Sequence, residues 1–295
     1  MNTRYIWENG SVLDWKKGTT HVMNPSMQYG VAAFEGIRFY NTKKGPAIFR
    51  LNDHFDRLFY SMGVLGMSAE YNYWQLTGAI IELIRRNEMT EGYIRPIAWF
   101  SDEEIGLHSS GKETSIQIAL FDWLASKDAL RVHISPFRRI HPATTDVEAK
   151  ISGNYVNSKL AIKCAEQKGF DDAILLDHEG YVAEGTGANI FYTKDGMLYT
   201  PPRGAILMGI TRDTVMSLVR KVSLLKIDQA QLLESDEIFL CGTAYEIIPV
   251  VRIEDTVISN GAIGPLTRTI QKQYSRAVRG ELLEHQDWLT YVNLP

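Results

Sequence analysis

At 295 residues the chain has room for about two domains or one large α/β domain, and with 45% hydrophobic and 22% charged residues it is neither disordered nor fibrous. Thirty-one Lys and Arg against thirty-five Asp and Glu leave a formal charge of −4, which excludes the basic stripe of a nucleic-acid binder. Cys164 and Cys241 are too few for a disulfide scaffold and read as reduced packing residues. The first residues lack the apolar stretch of a signal peptide, and no uncharged apolar run reaches the roughly 18 residues of a membrane span. The best run, Ile116–Trp123, is interrupted by Asp122. A soluble, cytoplasmic protein is expected.

In chain order, Tyr5–Trp7 and Ser11–Leu13 flank Asn9-Gly10, a favoured two-residue hairpin turn. Ala33–Tyr40 and Ala47–Arg50 flank a Lys-Lys-Gly-Pro turn as a second hairpin. Asn52 or Asp53 can cap a helix in which Phe55, Leu58, Phe59, Met62 and Leu65 recur at helical spacing. A second helix is predicted over 73–87, with Ile80, Leu83 and Ile84 inward and Glu82 paired with Arg86 outward. Tyr93–Phe100 and Thr114–Trp123 are rich in β-branched and aromatic residues and read as strands. The polar run Ala125-Ser126-Lys127-Asp128 marks an interdomain linker.

Beyond it, Arg131–Phe137 reads as a strand and 155–168 as an amphipathic helix ended by Gly169. Strands follow at Ala173–Asp177, Tyr181–Ala183, Asn189–Thr193 and Met197–Tyr199, with turns at His178–Gly180 and Lys194–Gly196. Helix resumes over 212–225, strands at Glu237–Cys241 and Ile247–Ile253 come next, and 266–279 is a closing helix. No period of twenty to fifty residues repeats, so solenoids and propellers are excluded. Strands and helices mix without strict alternation, which implies two units of mixed α+β and α/β character.

Several chemistries fail at the motif level. Gly106 to Lys112 has the spacing of a phosphate loop, but Glu113 stands where a hydroxyl should reach magnesium. Gly185-Thr-Gly187 lacks the third glycine of a dinucleotide fingerprint. The seven histidines form no metal-binding spacing, so no metal is expected, and there is no Gly-x-Ser-x-Gly elbow.

What survives is a set of short strings in the C-terminal half. Lys150 and Tyr155 flank a Gly-Asn turn ahead of a helix; Glu184 sits at a strand end beside Gly185-Thr-Gly187-Ala-Asn189; Gly209-Ile210-Thr211-Arg212 bends into a helix start, where free amides bind phosphate. Leu240-Cys-Gly-Thr243-Ala244 repeats the small-residue theme. Taken singly, a surface lysine, a turn with a solvated glutamate and a threonine cap explain them.

Together with Tyr29-Gly30, Phe34-Glu-Gly36-Ile-Arg-Phe-Tyr40 and Tyr93-Ile-Arg95-Pro96, these strings occur almost end to end in one order. In that order the sequence resembles the fold-type IV pyridoxal-phosphate enzymes, whose fold is D-amino acid aminotransferase-like, and among them the branched-chain amino acid aminotransferases of the bacterial kind. The resemblance implies a small N-terminal domain over 1–124, an interdomain loop over 125–130 and a large cofactor-binding domain over 131–295. It also implies pyridoxal 5'-phosphate as cofactor, small amino acids and 2-oxo acids as partners, and a homodimer or higher homo-oligomer.

By the same resemblance, Lys150 is the amine that condenses with the cofactor aldehyde and carries a proton between Cα and C4′. A lysine with the ordinary pKa of about 10.4 is protonated at neutral pH, so this duty requires burial or a cationic neighbour. Glu184 is implied to pair with the pyridine nitrogen and keep the ring an electron sink, and Tyr155 to bond the cofactor O3′. Arg57, on the first predicted helix, offers a fork of donors that matches phosphate. Ile210 and Thr211 add helix-start amides, and Thr243 and Gly187 complete the implied cofactor contacts. Tyr29, Phe34, Gly36, Tyr93 and Trp123 resemble the substrate pocket, with Arg95 receiving the distal carboxylate of glutamate. Thr243 and Ala244 are implied to hold the α-carboxylate. Ser126 is a departure: a tyrosine is expected there, and its replacement loosens the pocket mouth.

The reaction implied is transfer of the amino group of leucine, isoleucine or valine to 2-oxoglutarate. A D-amino acid or broad-specificity aminotransferase, or an aminodeoxychorismate lyase, is the alternative within the fold. The former needs a different carboxylate trap, and the latter needs no arginine at position 95. A non-catalytic binding protein on this scaffold predicts loss of the lysine or its ring partner, and Lys150 and Glu184 are both present.

Overall fold

The computed structural model describes residues 3–103, 105–108, 112–123, 127–219 and 221–292. Its chain divides into two compact units, Met1–Leu124 with Ala149–Gly153 and Ala277–Pro295, and Ala125–Glu148 with Asn154–Arg276.

The first unit carries β1 (Tyr5–Glu8), β2 (Ser11–Asp14), α1 (Pro25–Tyr29), β3 (Ala32–Phe34), β4 (Ile37–Thr42), β5 (Gly45–Phe49), α2 (Leu51–Val64), α3 (Tyr73–Arg86), β6 (Gly92–Phe100) and β7 (Thr114–Phe121). The second carries β8 (Leu130–Ile134), α4 (Tyr155–Gln167), β9 (Asp172–Leu176), β10 (Val182–Gly185), β11 (Asn189–Lys194), β12 (Met197–Thr200), α5 (Ile210–Leu218), β13 (Val222–Leu224), α6 (Gln229–Leu233), β14 (Glu237–Gly242), β15 (Glu246–Ile253) and β16 (Thr256–Val257). The division falls in the last turn of α7 (Pro265–Val278), and β17 (Leu289–Tyr291) returns to the first unit.

In the first unit the strands run β17-β5-β4-β6-β7-β1-β2, with β3 also on β6, and every pair is antiparallel. An antiparallel sheet can bury one face and turn the other to chemistry. Here Phe39, Ile94, Ile118 and Leu120 join Phe55 and Leu58 of α2 and Leu76, Ile80 and Leu83 of α3 in one core. Alternation places Arg38, Tyr93 and Arg95 on the opposite face.

The second sheet is mixed, in the order β10-β9-β8-β15-β14-β11-β12-β13 with β16 on β15. β8 runs parallel to β9 and β15, and β12 runs parallel to β13. β9, parallel to β8 and antiparallel to the edge strand β10, is buried on both faces. Ala173 and Leu175 meet Ala161 and Ala165 of α4, while Ile174 and Leu176 join Val132, Ile190 and Leu240.

Where the elements depart from the sequence expectation, tertiary contacts are the cause. The strand expected over 33–40 breaks at Glu35-Gly36, so that β3 and β4 both pair with β6. α2 begins at Leu51, ahead of the expected caps. Arg50 takes the left-handed cap position (φ 52°), held by its N–H on the Trp288 carbonyl at 2.7 Å and its guanidinium on Asp53. The helix expected over 212–225 stops at Leu218, because Val222–Leu224 pairs with β12. The strand expected over 131–137 ends at Ile134, and the one at 181–183 extends through Gly185. α1, α6, β13, β16 and β17 were not expected; each is five residues or fewer.

The expected second domain, 131–295, differs from the compact unit in losing 149–153 and 277–295 to the first. β17 bonds along β5, and Gly153 donates its N–H to the Gly30 carbonyl at 2.8 Å. Residues 125 and 126 of the expected interdomain loop lie outside the described residues, as do 109–111 of the loop-like string. Both cysteines are free thiols. Among the described residues, no helix is long and apolar enough to cross a membrane.

Candidate active site

In the first unit Lys150 lies on a short segment docked against two elements. Its N–H donates to Ser61 Oγ at 2.8 Å, its carbonyl accepts from the Phe34 N–H at 3.1 Å, and Ile151 bridges to Ala33. Ser61 is fully buried and donates in turn to the Arg57 carbonyl one turn earlier in α2. The backbone at 150 is therefore fixed by side chain and sheet together. Lys150 is half-buried, and its Nζ lies 4.8 Å from the centre of the Phe34 ring.

The same ring carries a second cation. Arg95 Cζ lies 5.0 Å from the centre of Phe34 and 5.4 Å from that of Tyr93; a guanidinium over an aromatic face is worth about 0.5–2 kcal/mol. Its Nε is buried and has no hydrogen-bond partner among the described residues. A buried donor left so costs about 1–3 kcal/mol, which an arriving acceptor recovers. Tyr93 stacks on Phe121 and against Trp123, with ring centres 5.0 and 4.9 Å apart. Gly36 is what admits this ring: a Cβ there would come within 1.8 Å of the Tyr93 hydroxyl. Phe34, Gly36, Tyr93, Arg95, Trp123 and Lys150 are thus brought together. Tyr29 ends α1 and is 43% exposed; Ser126 lies outside the described residues.

Arg57 is tied to a group that the sequence reading passed over. Its Nε and Nη2 donate to Glu35 at 2.5 and 2.9 Å, and the His54 Nδ1–H donates to Glu35 Oε2 at 2.7 Å. Glu35 has no exposed surface. Burial pushes its carboxyl upward, yet the Arg57 and His54 charges and bonds prevail and hold it well below the usual carboxylate range. Burial, opposed by Glu35 and aided by the Arg57 and Lys150 charges, pushes the His54 imidazole down. Glu35 lies inside the Phe34–Tyr40 string, so the signal was in view; nothing marked His54 or Ser61.

In the second unit Glu184, only 5% exposed, sits at a bulge in the β9–β10 ladder. Arg139 Nε donates to its Oε1 at 2.5 Å, and Asn189 Nδ2 and the Leu207 N–H donate to its Oε2 at 3.1 Å each. The buried anion is thereby charge-paired and hydrogen-bonded, which burial demands. Arg139 Nη1 is buried and has no bonded partner among the described residues. Asn189 stood in the small-residue string, whereas no motif pointed to Arg139.

Asn189 also fixes the start of α5. Its amide bonds the Leu207 carbonyl at 2.8 Å, and a Cβ on Gly209 would come within 2.0 Å of its Oδ1. Ile210 and Thr211 open the helix, so their N–H groups have no intrahelical acceptor. Gly242 packs on the 185–188 loop, where a Cβ would meet the Gly187 carbonyl at 3.3 Å. Thr243 and Ala244 form the turn between β14 and β15, and Tyr155 opens α4, half-buried. One unit thus presents an amine, aromatic rings and arginines; the other presents a paired carboxylate, a helix start and a small-residue turn.

The family model of amino-transferase class IV matches residues 32–253. The chain is 38% identical to the branched-chain-amino-acid aminotransferase of Pseudomonas aeruginosa, over 97% of each chain. It is 36% identical to that of Escherichia coli K12, over 98% of this chain and 97% of the relative. Among solved structures, the branched-chain amino acid aminotransferase from Thermobaculum terrenum in its PLP-bound holo form matches with a TM-score of 0.93 at 34% identity, covering 99% of each chain.

Proposed function

This chain belongs to the class IV amino-transferases and, within them, to the branched-chain-amino-acid aminotransferases, and from that membership we propose how its own residues divide the work. It is a pyridoxal-phosphate-dependent transaminase that passes the amino group of leucine, isoleucine or valine to 2-oxoglutarate in two half-reactions. Bound pyridoxal 5'-phosphate supplies an aldehyde that takes up amino groups and a ring that spreads the charge left when Cα loses its proton. The residues of each unit suit that group: the first offers a half-buried lysine and an arginine, and the second a buried carboxylate for a ring nitrogen and helix-start amides for a phosphate.

Lys150 holds the cofactor through its amine and moves the proton at Cα. Glu184 keeps a proton on the ring nitrogen, and Arg139 and Asn189 pair with Glu184 and aim it. Arg57, anchored by Glu35, and the Ile210 and Thr211 N–H groups take the phosphate, with Gly187 giving close backbone approach and Thr243 a further donor. Tyr155 bonds the ring oxygen. Thr243 and Ala244 hold the α-carboxylate. Tyr29, Phe34, Gly36, Tyr93, Trp123 and Ser126 form the side-chain pocket, and Arg95 receives the distal carboxylate of glutamate. The enzyme works as a homo-oligomer, at least a dimer, in the cytoplasm, where free thiols stay reduced.

The observation that carries this reading is that Lys150 and Arg95 share the Phe34 ring. The reactive amine and the acceptor for a second carboxylate thus flank one apolar wall. Purified protein with its cofactor is expected to absorb in the visible and to lose that band on adding L-leucine. Lys150→Ala should abolish the change, and borohydride should no longer fix pyridoxal to the chain. Retained turnover in that variant ends the assignment.

A further inference from the structure

Asp172 is an acidic residue in the wrong surroundings for a surface charge. It opens β9, whose next three residues Ala173, Ile174 and Leu175 have no exposed surface, and it has none itself. Taking a carboxylate out of water is costly unless its lone pairs are filled. Here they are filled by neutral groups: the Thr186 hydroxyl donates to Oδ1 at 2.5 Å, the Ala173 N–H donates to Oδ1 at 2.7 Å, and the Tyr245 hydroxyl donates to Oδ2 at 3.2 Å. Burial outweighs these bonds and pushes the carboxyl upward, and burial followed by the Asp172 charge pushes the Tyr245 phenol upward.

Thr186 belongs to the loop that follows Glu184 and leads to Asn189. Tyr245 closes the three-residue turn between Gly242 and Glu246, which pair across β14 and β15, and the turn contains Thr243 and Ala244. The two segments also touch backbone to backbone, since a Cβ on Gly242 would stand 3.3 Å from the Gly187 carbonyl and 3.6 Å from Ala188 Cα. One buried carboxylate therefore ties the loop beside the ring-nitrogen partner to the turn assigned to the α-carboxylate. We propose that Asp172 is a positioning residue for substrate: through Thr186 and Tyr245 it sets where the Thr243-Ala244 turn presents its amides to the carboxylate of an incoming amino acid or 2-oxo acid. The proposal rests on the aminotransferase reading above and adds the group that fixes its carboxylate end.

The test compares Asp172→Ala, Asp172→Asn, Tyr245→Phe and Thr186→Val with the wild type in the leucine half-reaction. Asp172→Ala is expected to raise the half-saturating leucine concentration about tenfold, the scale of a lost buried hydrogen bond, with the limiting rate within about twofold. Asp172→Asn keeps an acceptor for Thr186 and turns a donor toward the Tyr245 oxygen, so it should restore saturation to near the wild-type value. Tyr245→Phe and Thr186→Val should each show part of the shift, which keeps the test open if Asp172→Ala does not fold. Amide hydrogen exchange at residues 243–246, measured without substrate, should accelerate in Asp172→Ala and Tyr245→Phe and not in Asp172→Asn. If leucine saturation and exchange at 243–246 are unchanged in Tyr245→Phe and Thr186→Val, or if the rate falls without a saturation shift, the clamp is overturned while the enzyme reading stands. If wild-type protein leaves leucine untouched, both fall together.

Discussion

At the scale of single residues, the two cations on Phe34 are distinguished by what each awaits. Arg95 has a buried Nε with no hydrogen-bond partner among the described residues, so a substrate that brings a second carboxylate gains a charge-assisted bond that leucine cannot make. Arg95→Ala is accordingly expected to cut kcat/KM for glutamate by about a hundredfold, some 2–3 kcal/mol, and for leucine by less than tenfold; equal losses remove Arg95 from the distal pocket. The Glu35–His54–Arg57 group makes a prediction about acid. Both Glu35 and His54 titrate lower in the folded chain than in the unfolded one, so the stability they lend is complete above their unfolded values and lost as pH falls. The loss begins with His54 below about 6.5 and continues with Glu35 below about 4.5. Thermal melts from pH 8 down to pH 4 should show a decline starting near 6.5 in wild type. His54→Gln should move that onset toward 4.5; an unchanged onset assigns the decline to other groups.

Among the elements, the last strand has the largest consequence for its length. β17 closes the edge of the first sheet by pairing Leu289 with Phe49 and Tyr291 with Ala47. Val292 enters the core at 2% exposure, and its carbonyl accepts from Arg85 Nη2 at 2.5 Å. The Trp288 carbonyl holds the N–H of Arg50, the cap of α2. Removing residues 285–295 forfeits burial of Leu289 and Val292 at roughly 2 kcal/mol each, and it bares the edge of β5 to pairing with other chains. A truncated protein should melt several degrees lower and aggregate as it does so; unchanged melting by circular dichroism shows that β17 only decorates the sheet.

For the molecule as a whole, the chain passes from the first unit to the second after Leu124, returns for Ala149–Gly153, and returns again at Ala277. Lys150 is thereby built into the unit that holds Phe34 and Arg95, although its sequence neighbours from Asn154 onward belong to the other. The first unit keeps Val22, Met27 and Tyr29 exposed, and it holds a cavity of about 370 Å³ lined in part by Met27, Ile97 and Trp99. Apolar surface of that kind suits a partner subunit. Light scattering should give at least twice the chain mass of 33.4 kDa; a monomer that is fully active refutes the assembly.

Elements with strong local periodicity can be read directly from the chain. The Asn9-Gly10 hairpin, the helices of Phe55 and Ile80 and the Glu82–Arg86 pair were all legible, because a turn, a helical stripe and an i,i+4 pair depend on residues close in the chain. The helix start at Ile210 was legible too, and Lys150, Glu184 and Arg95 stand out in the chain as members of motif strings. The partners of these residues emerge on folding. Glu35 on Arg57, Arg139 on Glu184, Ser61 under Lys150 and Tyr245 on Asp172 join residues from 22 to 89 positions apart. No local pattern encodes such pairs, since a buried charge acquires its counterpart only when the sheets close and water leaves. The same reason hid β17 and the break at Gly36: an edge strand and a glycine that admits a tyrosine ring are answers to neighbours that the linear chain does not yet have.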